Sequence, residues 1–244
     1  MPNHPSNEFV ILPAIDLRDG KVVRLEQGDP NRQTTFSNDP VFWAKKWRDL
    51  GASWLHIINL SGAFGEDESS NLHALEQIRA VGLKVEFGGG VRTLEKIDRL
   101  NLLGVDRIFL GTIAILQPEL VKTAIQLYGA DRIAGDIGAK NSKVMIKGWQ
   151  ESMPISVNQA GQDLYNAGVR WCVLTDVDRD GVGQGVNLES AIALQKNTSL
   201  QVVASGGVSR LDDVIKAKQA GVAGIIIGRA LYNGQINLQD CFEI

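Results

Sequence analysis

The sequence predicts a (β/α)8 barrel assembled from two half-barrels, and three observations carry that expectation. Gly88-Gly89-Gly90-Val91-Arg92 returns as Ser205-Gly206-Gly207-Val208-Ser209, and Gly111-Thr112-Ile113-Ala114 as Gly228-Arg229-Ala230-Leu231, each 117 residues later. The same spacing relates Gly51-Ala52 to Gly168-Val169, Ile58-Asn59 to Thr175-Asp176 and Gly104-Val105 to Gly221-Val222, a register too consistent for chance. Second, short apolar, β-branched runs alternate with amphipathic stretches of helical length, the pattern of buried parallel strands joined by crossover helices. Third, no linker or low-complexity break interrupts the 244 residues, a length at which such barrels form one unit. We therefore expect one domain over 1–244, with halves of about 9–128 and 129–244. A doubly wound open sheet is the rival architecture, but it leaves unexplained a two-fold repeat that consumes the whole chain.

Taken in order, the expected strands are Phe9–Asp16, Trp54–Asn59, Lys84–Phe87, Arg107–Leu110, Arg132–Asp136, Trp171–Asp176, Gln201–Ala204 and Gly224–Ile227. The helical signals between them are Pro40–Leu50, Asn71–Ala80, Leu94–Leu103, Pro118–Tyr128, Ser156–Asn166, Leu188–Gln195 and Leu211–Ala220, several ending at glycine. Leu238–Ile244 supplies a short eighth helix. In such a barrel the functional residues gather where the strands end. Read off the sequence, those ends carry Asp16, Asn59, Gly88-Gly89-Gly90, Gly111-Thr112, Asp136, Thr175-Asp176, Ser205-Gly206-Gly207 and Gly228-Arg229.

A 44% hydrophobic, 22% charged composition provides an ordinary globular core. A net charge of −3 offers no bulk attraction for nucleic acid or an anionic membrane, so any phosphate binding must come from local geometry. No apolar run approaches a membrane span. Met1–Glu8 is polar and lacks the apolar core of a signal peptide, which points to a cytoplasmic protein. Cys172 and Cys241 lie far apart and read as reduced thiols, while His4, His56 and His73 are too scattered for a metal site, so no metal is expected.

The glycines after strands three and seven let a ligand approach the backbone, and the helix N-termini that follow direct free N–H groups at an anion. With Gly111-Thr112 and Gly228-Arg229 beside them, each half offers a cradle: Gly89, Gly90, Gly111 and Thr112 in one, Gly206, Gly207, Gly228 and Arg229 in the other. One glycine triplet is ordinary turn chemistry; two in matching context imply a small ligand with two phosphates. Asp16 and Asp136 end opposite strands, where a carboxylate is costly unless paired or used. Asp178, Arg179 and Asp180 form either a solvated turn or a loop reaching the barrel axis. Trp149 either fills core or stacks on a planar ring.

Pro13-Ala14-Ile15-Asp16-Leu17, Val23-Arg24-Leu25, Gln27-Gly28, Gly88-Gly89-Gly90-Val91-Arg92, Gly148-Trp149, Thr175-Asp176, Arg179-Asp180-Gly181, Ser205-Gly206-Gly207 and Gly228-Arg229-Ala230-Leu231, in that order, resemble the ProFAR isomerase family of histidine biosynthesis (phosphoribosylformimino-5-aminoimidazole carboxamide ribotide isomerases). The resemblance spans Phe9 to Leu238. It implies a cofactor-free Amadori rearrangement of an N-linked aminoaldose to an aminoketose, on a substrate with a phosphate at either end. It assigns Asp16 as the base at ribose C2, Asp180 as the acid that opens the furanose ring, and Asp136 and Thr175 as groups that orient the sugar. Trp149 would stack on the carboxamide-imidazole end, and Arg24 would anchor the first loop to the ligand. Asp180 then needs a pKa well above the ~3.9 of a free Asp, whereas Asp16 must stay ionised. Gly181-Val182-Gly183-Gln184-Gly185 would give the closing loop its hinge freedom, and a monomer is expected.

The chain departs from the family pattern at Asn59 and Ser61, where Asp is usual, and at Val182-Gly183 in place of Thr-Leu. The sister cyclase that makes imidazole glycerol phosphate usually has Lys at the place of Arg24 and Cys at that of Ala14. A bifunctional isomerase acting also on phosphoribosylanthranilate tends to have Ser at the place of Gly88 or Gly89 and an extra arginine before the Gly-Trp pair. A barrel that binds phosphometabolites without catalysis is the reading outside enzymes.

Overall fold

The structure, a computed structural model, describes residues 9–244; the readings of Met1–Glu8 and His4 lie outside the described residues. Its strands are β1 (Val10–Arg18), β2 (Lys21–Glu26), β3 (Asp29–Ser37), β4 (Trp54–Asn59), β5 (Lys84–Gly88), β6 (Arg107–Leu110), β7 (Ile133–Lys140), β8 (Lys143–Ile146), β9 (Glu151–Ser156), β10 (Trp171–Asp176), β11 (Gln201–Ser205) and β12 (Gly224–Ile227). The helices are α1 (Pro40–Asp49), α2 (Leu60–Phe64), α3 (Ser69–Arg79), α4 (Leu94–Leu102), α5 (Thr112–Leu116), α6 (Pro118–Tyr128), α7 (Val157–Asn166), α8 (Leu188–Thr198), α9 (Leu211–Gln219), α10 (Arg229–Tyr232) and α11 (Leu238–Phe242).

Parallel pairing runs β1-β4-β5-β6-β7-β10-β11-β12 and returns from β12 to β1, so the sheet closes into the expected eight-stranded parallel barrel. Because all eight strands run the same way, their C-terminal ends, and with them Gly89 and Gly206, share one mouth. Alternation sorts the side chains. Leu12, Ala14, Phe109, Ala134, Val173, Val203 and Ile226 pack inside the barrel. Their neighbours, such as Ile11, Ile15, Ile57 and Phe87, face the helices and join the larger outer core. Both cysteines are free and buried. Among the described residues no helix is long and apolar enough to cross a membrane.

Two pieces of the sheet go beyond the expectation. β2 and β3 fold back antiparallel on β1, and β8 and β9 fold back on β7, placing a small antiparallel extension above the first strand of each half. The turns that make them are readable. Asp19-Gly20 (φ 52° and 70°) and Gln27-Gly28 (φ 53° and 72°) each put two left-handed residues between paired strands, as does Asn141-Ser142 (φ 48° and 62°). Those are the turns whose twist matches a two-residue hairpin, and Asp-Gly is among their strongest signals. These extensions also lengthen the first and fifth barrel strands to Arg18 and Lys140, past the expected ends at Asp16 and Asp136.

Candidate functional site

Around the C-terminal half, a cavity of about 130 Å³ is lined by Arg24, Asp180, Ser205, Gly207, Gly228 and Arg229, among others. It contains the second expected cradle. Its glycines are required for packing as well as access: a Cβ on Gly206 would lie 2.4 Å from the Asp176 carbonyl oxygen, and one on Gly207 2.4 Å from that of Gly185. A Cβ on Gly228 would lie 2.8 Å from the Arg24 guanidinium carbon, so the missing side chain is what lets Arg24 reach the mouth. Arg229 is exposed at the start of α10 and donates to the Gly181 carbonyl, tying the loop after β10 to this cradle.

The first cradle follows the same backbone plan. A Cβ on Gly89 would sit 2.3 Å from the Asn59 carbonyl oxygen, and one on Gly90 2.5 Å from the Gly62 carbonyl carbon. Its side chains differ. Asn59, at the usual Asp position, accepts from Gly62 N (3.0 Å) and Asn71 Nδ2 (2.7 Å) and donates to Glu68 (2.7 Å). Glu68 in turn pairs with Lys96, whose pKa is pulled down to about 8 by burial first and then by Arg99. Thr112 Oγ1 accepts from Lys147 N at 2.8 Å, so the loop between β8 and β9 already holds that hydroxyl.

The carboxyls fall into two groups. On the β1 side, Asp16 Oδ2 accepts from Arg24 at 2.7 Å, and the other terminal nitrogen of Arg24 donates to the Ala14 carbonyl at 2.6 Å. Burial disfavours the Arg24 cation, but Asp16, Tyr232 and Asp180 outweigh it and hold its pKa above the ordinary arginine value. Tyr232 fixes the same corner: its hydroxyl donates to the Ala14 carbonyl (2.8 Å), the guanidinium lies over its ring (5.5 Å), and Trp43 and Trp47 pack against it. Asp180 is half-buried beside them, and its pKa is raised to about 6, by burial first and then by Asp16, against the opposing pull of Arg24. The shift is in the direction expected of a carboxyl that keeps its proton closer to neutrality than a free Asp does.

The β2–β3 turn is the clasp. Gln27 N donates to the Asp180 carbonyl (3.0 Å) and Gln27 Nε2 to that of Asp178 (2.8 Å), while Asp178 Oδ2 accepts from Asn141 N (2.8 Å). The loop after β10 is therefore tied to both extensions, with Asp178, Arg179 and Asp180 half-buried. Sequence reading missed the clasp, Tyr232 and the Asn59–Glu68–Lys96 chain, because each joins residues far apart in sequence.

Asp136, the other carboxyl group, stands on β7 near the first cradle, 3.5 Å from where a Gly111 Cβ would be. Burial, and secondarily Glu86, raises its pKa to about 6 against the pull of His56. Thr175 is buried between β7 and β11, in register with Gly138 and Ser205. Trp149 is half-buried and left-handed (φ 65°), its ring edge against Gly28 and its Nε1 against Gly138. It roofs the mouth between the two extensions instead of filling core. Asp176, the partner of Asn59 in the repeat, is bound by Asn187 (2.8 Å) and Arg179 N (3.3 Å). Among the described residues no group of three or more His, Cys, Asp or Glu is placed to hold a metal ion.

A family model described as histidine biosynthesis protein matches residues 10–237, the whole barrel with both cradles. The chain belongs to that family. Members similar to it are named 1-(5-phosphoribosyl)-5-((5-phosphoribosylamino)methylideneamino) imidazole-4-carboxamide isomerase. That of Desulfitobacterium hafniense (strain Y51) is 40% identical over 239 residues, covering 96% of each chain. That of Moorella thermoacetica is 39% identical over 240 residues, covering 97% of this chain and 98% of its own. That of Oceanobacillus iheyensis is 40% identical over 236 residues, covering 96% and 98%. The resemblance read from the motifs thus meets histidine biosynthesis relatives along nearly the full chain.

Proposed function

We propose that the protein is the ProFAR isomerase of histidine biosynthesis, converting the aminoaldose ProFAR to the aminoketose PRFAR by an Amadori rearrangement. The observation that carries the reading is the corner where Asp16, paired with Arg24, meets Asp180, whose pKa is raised to about 6, inside the second cradle. A carboxyl ion-paired with a guanidinium beside one whose pKa is raised is the kind of unequal pair that acid and base need. Full-length relatives named as this isomerase supply the substrate.

In this mechanism the cradles hold the two phosphates and fix the sugar between them. Asp180 gives its proton to the furanose ring oxygen while the glycosidic nitrogen's lone pair forms the C1=N bond, opening the ring as an iminium. Asp16 takes the proton from C2, whose electrons form a C1=C2 double bond and neutralise the nitrogen. The resulting enol becomes the ketone as Asp16 returns a proton to C1 and the C2 hydroxyl gives its proton to the Asp180 carboxylate, which restores both groups. Asp136 and Thr175 orient the sugar hydroxyls, Trp149 stacks on the imidazole carboxamide, and Arg24 holds the Asp16 charge at the ligand. The steps move protons only, and carboxyls can carry all of them. The substrate is small and doubly phosphorylated, and since one chain builds both cradles the enzyme works as a monomer.

A single-turnover assay with ProFAR tests this. Conversion to PRFAR is expected; saturable binding without conversion would leave only the phosphometabolite-binding barrel.

A further inference from the structure

Arg24 reaches Asp16 with only one arm of its guanidinium. Nη1 donates to Asp16 Oδ2 at 2.7 Å, while Nη2 is turned onto the Ala14 carbonyl at 2.6 Å. Among the described residues no hydrogen bond reaches Asp16 Oδ1. An arginine beside a carboxylate commonly pairs with both oxygens through two parallel N–H bonds, and this pair is mostly buried, with 12% and 14% of the two side chains exposed. The one-armed contact therefore needs a cause outside the pair.

Tyr232 supplies it. Pairing of β1 with β12 stops at Pro13 and Ile227, and the next carbonyl of β1, that of Ala14, takes two side-chain donors, Arg24 Nη2 and the Tyr232 hydroxyl at 2.8 Å. A carbonyl has two lone pairs, so with one held by the phenol the other is left to the arginine. The guanidinium carbon also lies 5.5 Å from the centre of the Tyr232 ring, within range of a cation–π contact, and it packs so closely on Gly228 that a Cβ there would meet it at 2.8 Å. Arg24 Nε is buried and makes no hydrogen bond, so the plane of the fork is set by its two terminal nitrogens and by these two surfaces. Tyr232 is itself wedged in place, with the rings of Phe36, Trp43 and Trp47 at 4.9, 4.6 and 5.1 Å.

We propose that Tyr232 is a positioning residue that holds Arg24 to one oxygen of Asp16 and so keeps Oδ1 free to take a proton. A fork closed on both oxygens would set an N–H donor on each, and a carboxylate bonded in that way is a poorer base. The single contact keeps the charge in place and leaves one oxygen for the substrate. Gly228 lines the second cradle and Tyr232 ends α10, which Gly228 caps, so one turn of chain both lines the phosphate site and sets the arginine. The effect on turnover rests on the reading of Asp16 as the base; the placement of Arg24 by Tyr232 does not.

Crystal structures and a double-mutant cycle test this. A crystal structure of the unaltered protein, which needs no variant to fold, should show Arg24 bonded to Asp16 Oδ2 and the Ala14 carbonyl with Oδ1 free; a fork closed on both oxygens there overturns the placement. Tyr232→Leu removes ring and hydroxyl and should let the fork close, lowering kcat for ProFAR roughly ten- to a hundredfold while KM stays nearly constant. Tyr232→Phe keeps the wedged ring and should lower kcat by about fivefold or less, the scale of one neutral hydrogen bond. In the Arg24→Lys background there is no fork to close, so adding Tyr232→Leu should cost no further kcat. Arg24 still on a single oxygen in the Tyr232→Leu structure, an equal loss from Tyr232→Leu in the Arg24→Lys background, or a loss carried by KM alone overturns the positioning role. A closed fork in Tyr232→Leu with kcat unmoved upholds the placement and overturns the reading of Asp16 as the base.

Discussion

The two cradles share a backbone and differ in side chains. Gly89 against the Asn59 carbonyl and Gly206 against the Asp176 carbonyl are the same close approach made twice, at 2.3 Å and 2.4 Å for an added Cβ. Around that common frame the halves diverge. Position 96 is a lysine neutralised by Glu68, whereas its repeat partner Asp213 accepts from Ser209 N (2.9 Å) and Arg210 N (3.1 Å) and caps α9. Position 59 is a neutral amide held by Asn71 and Glu68, and position 176 a carboxylate bound by Arg179 and Asn187. Asp180, Asp16 and Arg24 gather at the second cradle, while the first holds Thr112 and Asp136. The repeat thus keeps the backbone approach in both halves, while the side chains around it differ.

The largest test of that asymmetry is at the carboxyls. Asp16→Asn and Asp180→Asn should each lower kcat by roughly a hundred- to ten-thousand-fold while KM changes far less, since acid and base act on protons in transit and the cradles bind the ground state. Asp136→Asn should lose much less and keep both limbs of the pH profile. A dead Asp136→Asn beside a nearly fully active Asp180→Asn would move the acid to the first cradle and break the comparison.

At the shared frame, Gly89→Val and Gly206→Val should behave alike. Both glycines are left-handed, at φ 95° and 91°, and each faces a backbone oxygen. Urea unfolding should show losses of roughly 2–4 kcal/mol in each, from strain and overlap. Sequence alone suggests only weakened substrate binding in these variants; the structure adds lost stability. A loss in one variant only would show that the frames are not equivalent.

Smaller effects should separate the anion sites. Arg229→Gln should raise KM about tenfold, the scale of one charge-assisted hydrogen bond. Thr112→Val should cost less, its hydroxyl being already engaged by Lys147 N. Measured KM values in the opposite order would reverse the assignment.

The smallest effect is a stability slope. Burial raises the folded pKa of Asp136 from 3.8 to about 6, so folding disfavours its ionised form. The stability associated with its neutral form is full below pH ~4 and is lost as pH rises through about 6. Asp136→Asn removes that loss and should gain on the unaltered protein between pH 4 and 7, by on the order of 1–2 kcal/mol. A constant difference across that range in parallel unfolding titrations would contradict it.

By itself the sequence determined the barrel strands, the helices outside them and the polar residues at each strand end, because alternation, amphipathic spacing and a repeat of 117 residues are local or periodic signals. It also carried the family, through motifs whose glycines and carboxyls stand in order. The antiparallel extensions were legible in Asp19-Gly20 and Gln27-Gly28, yet strands so short are overshadowed by the stronger barrel pattern. Tertiary structure alone decided which residues meet. That Gly228 makes room for Arg24, that Gln27 clasps the Asp180 loop, and that Glu86 lies between His56 and Arg107 follows from closing the sheet, which brings together residues with no sequence proximity. The protonation of Asp180 and Asp136 was decided there too, since burial and the nearest charge set it, and both exist only once the barrel has closed.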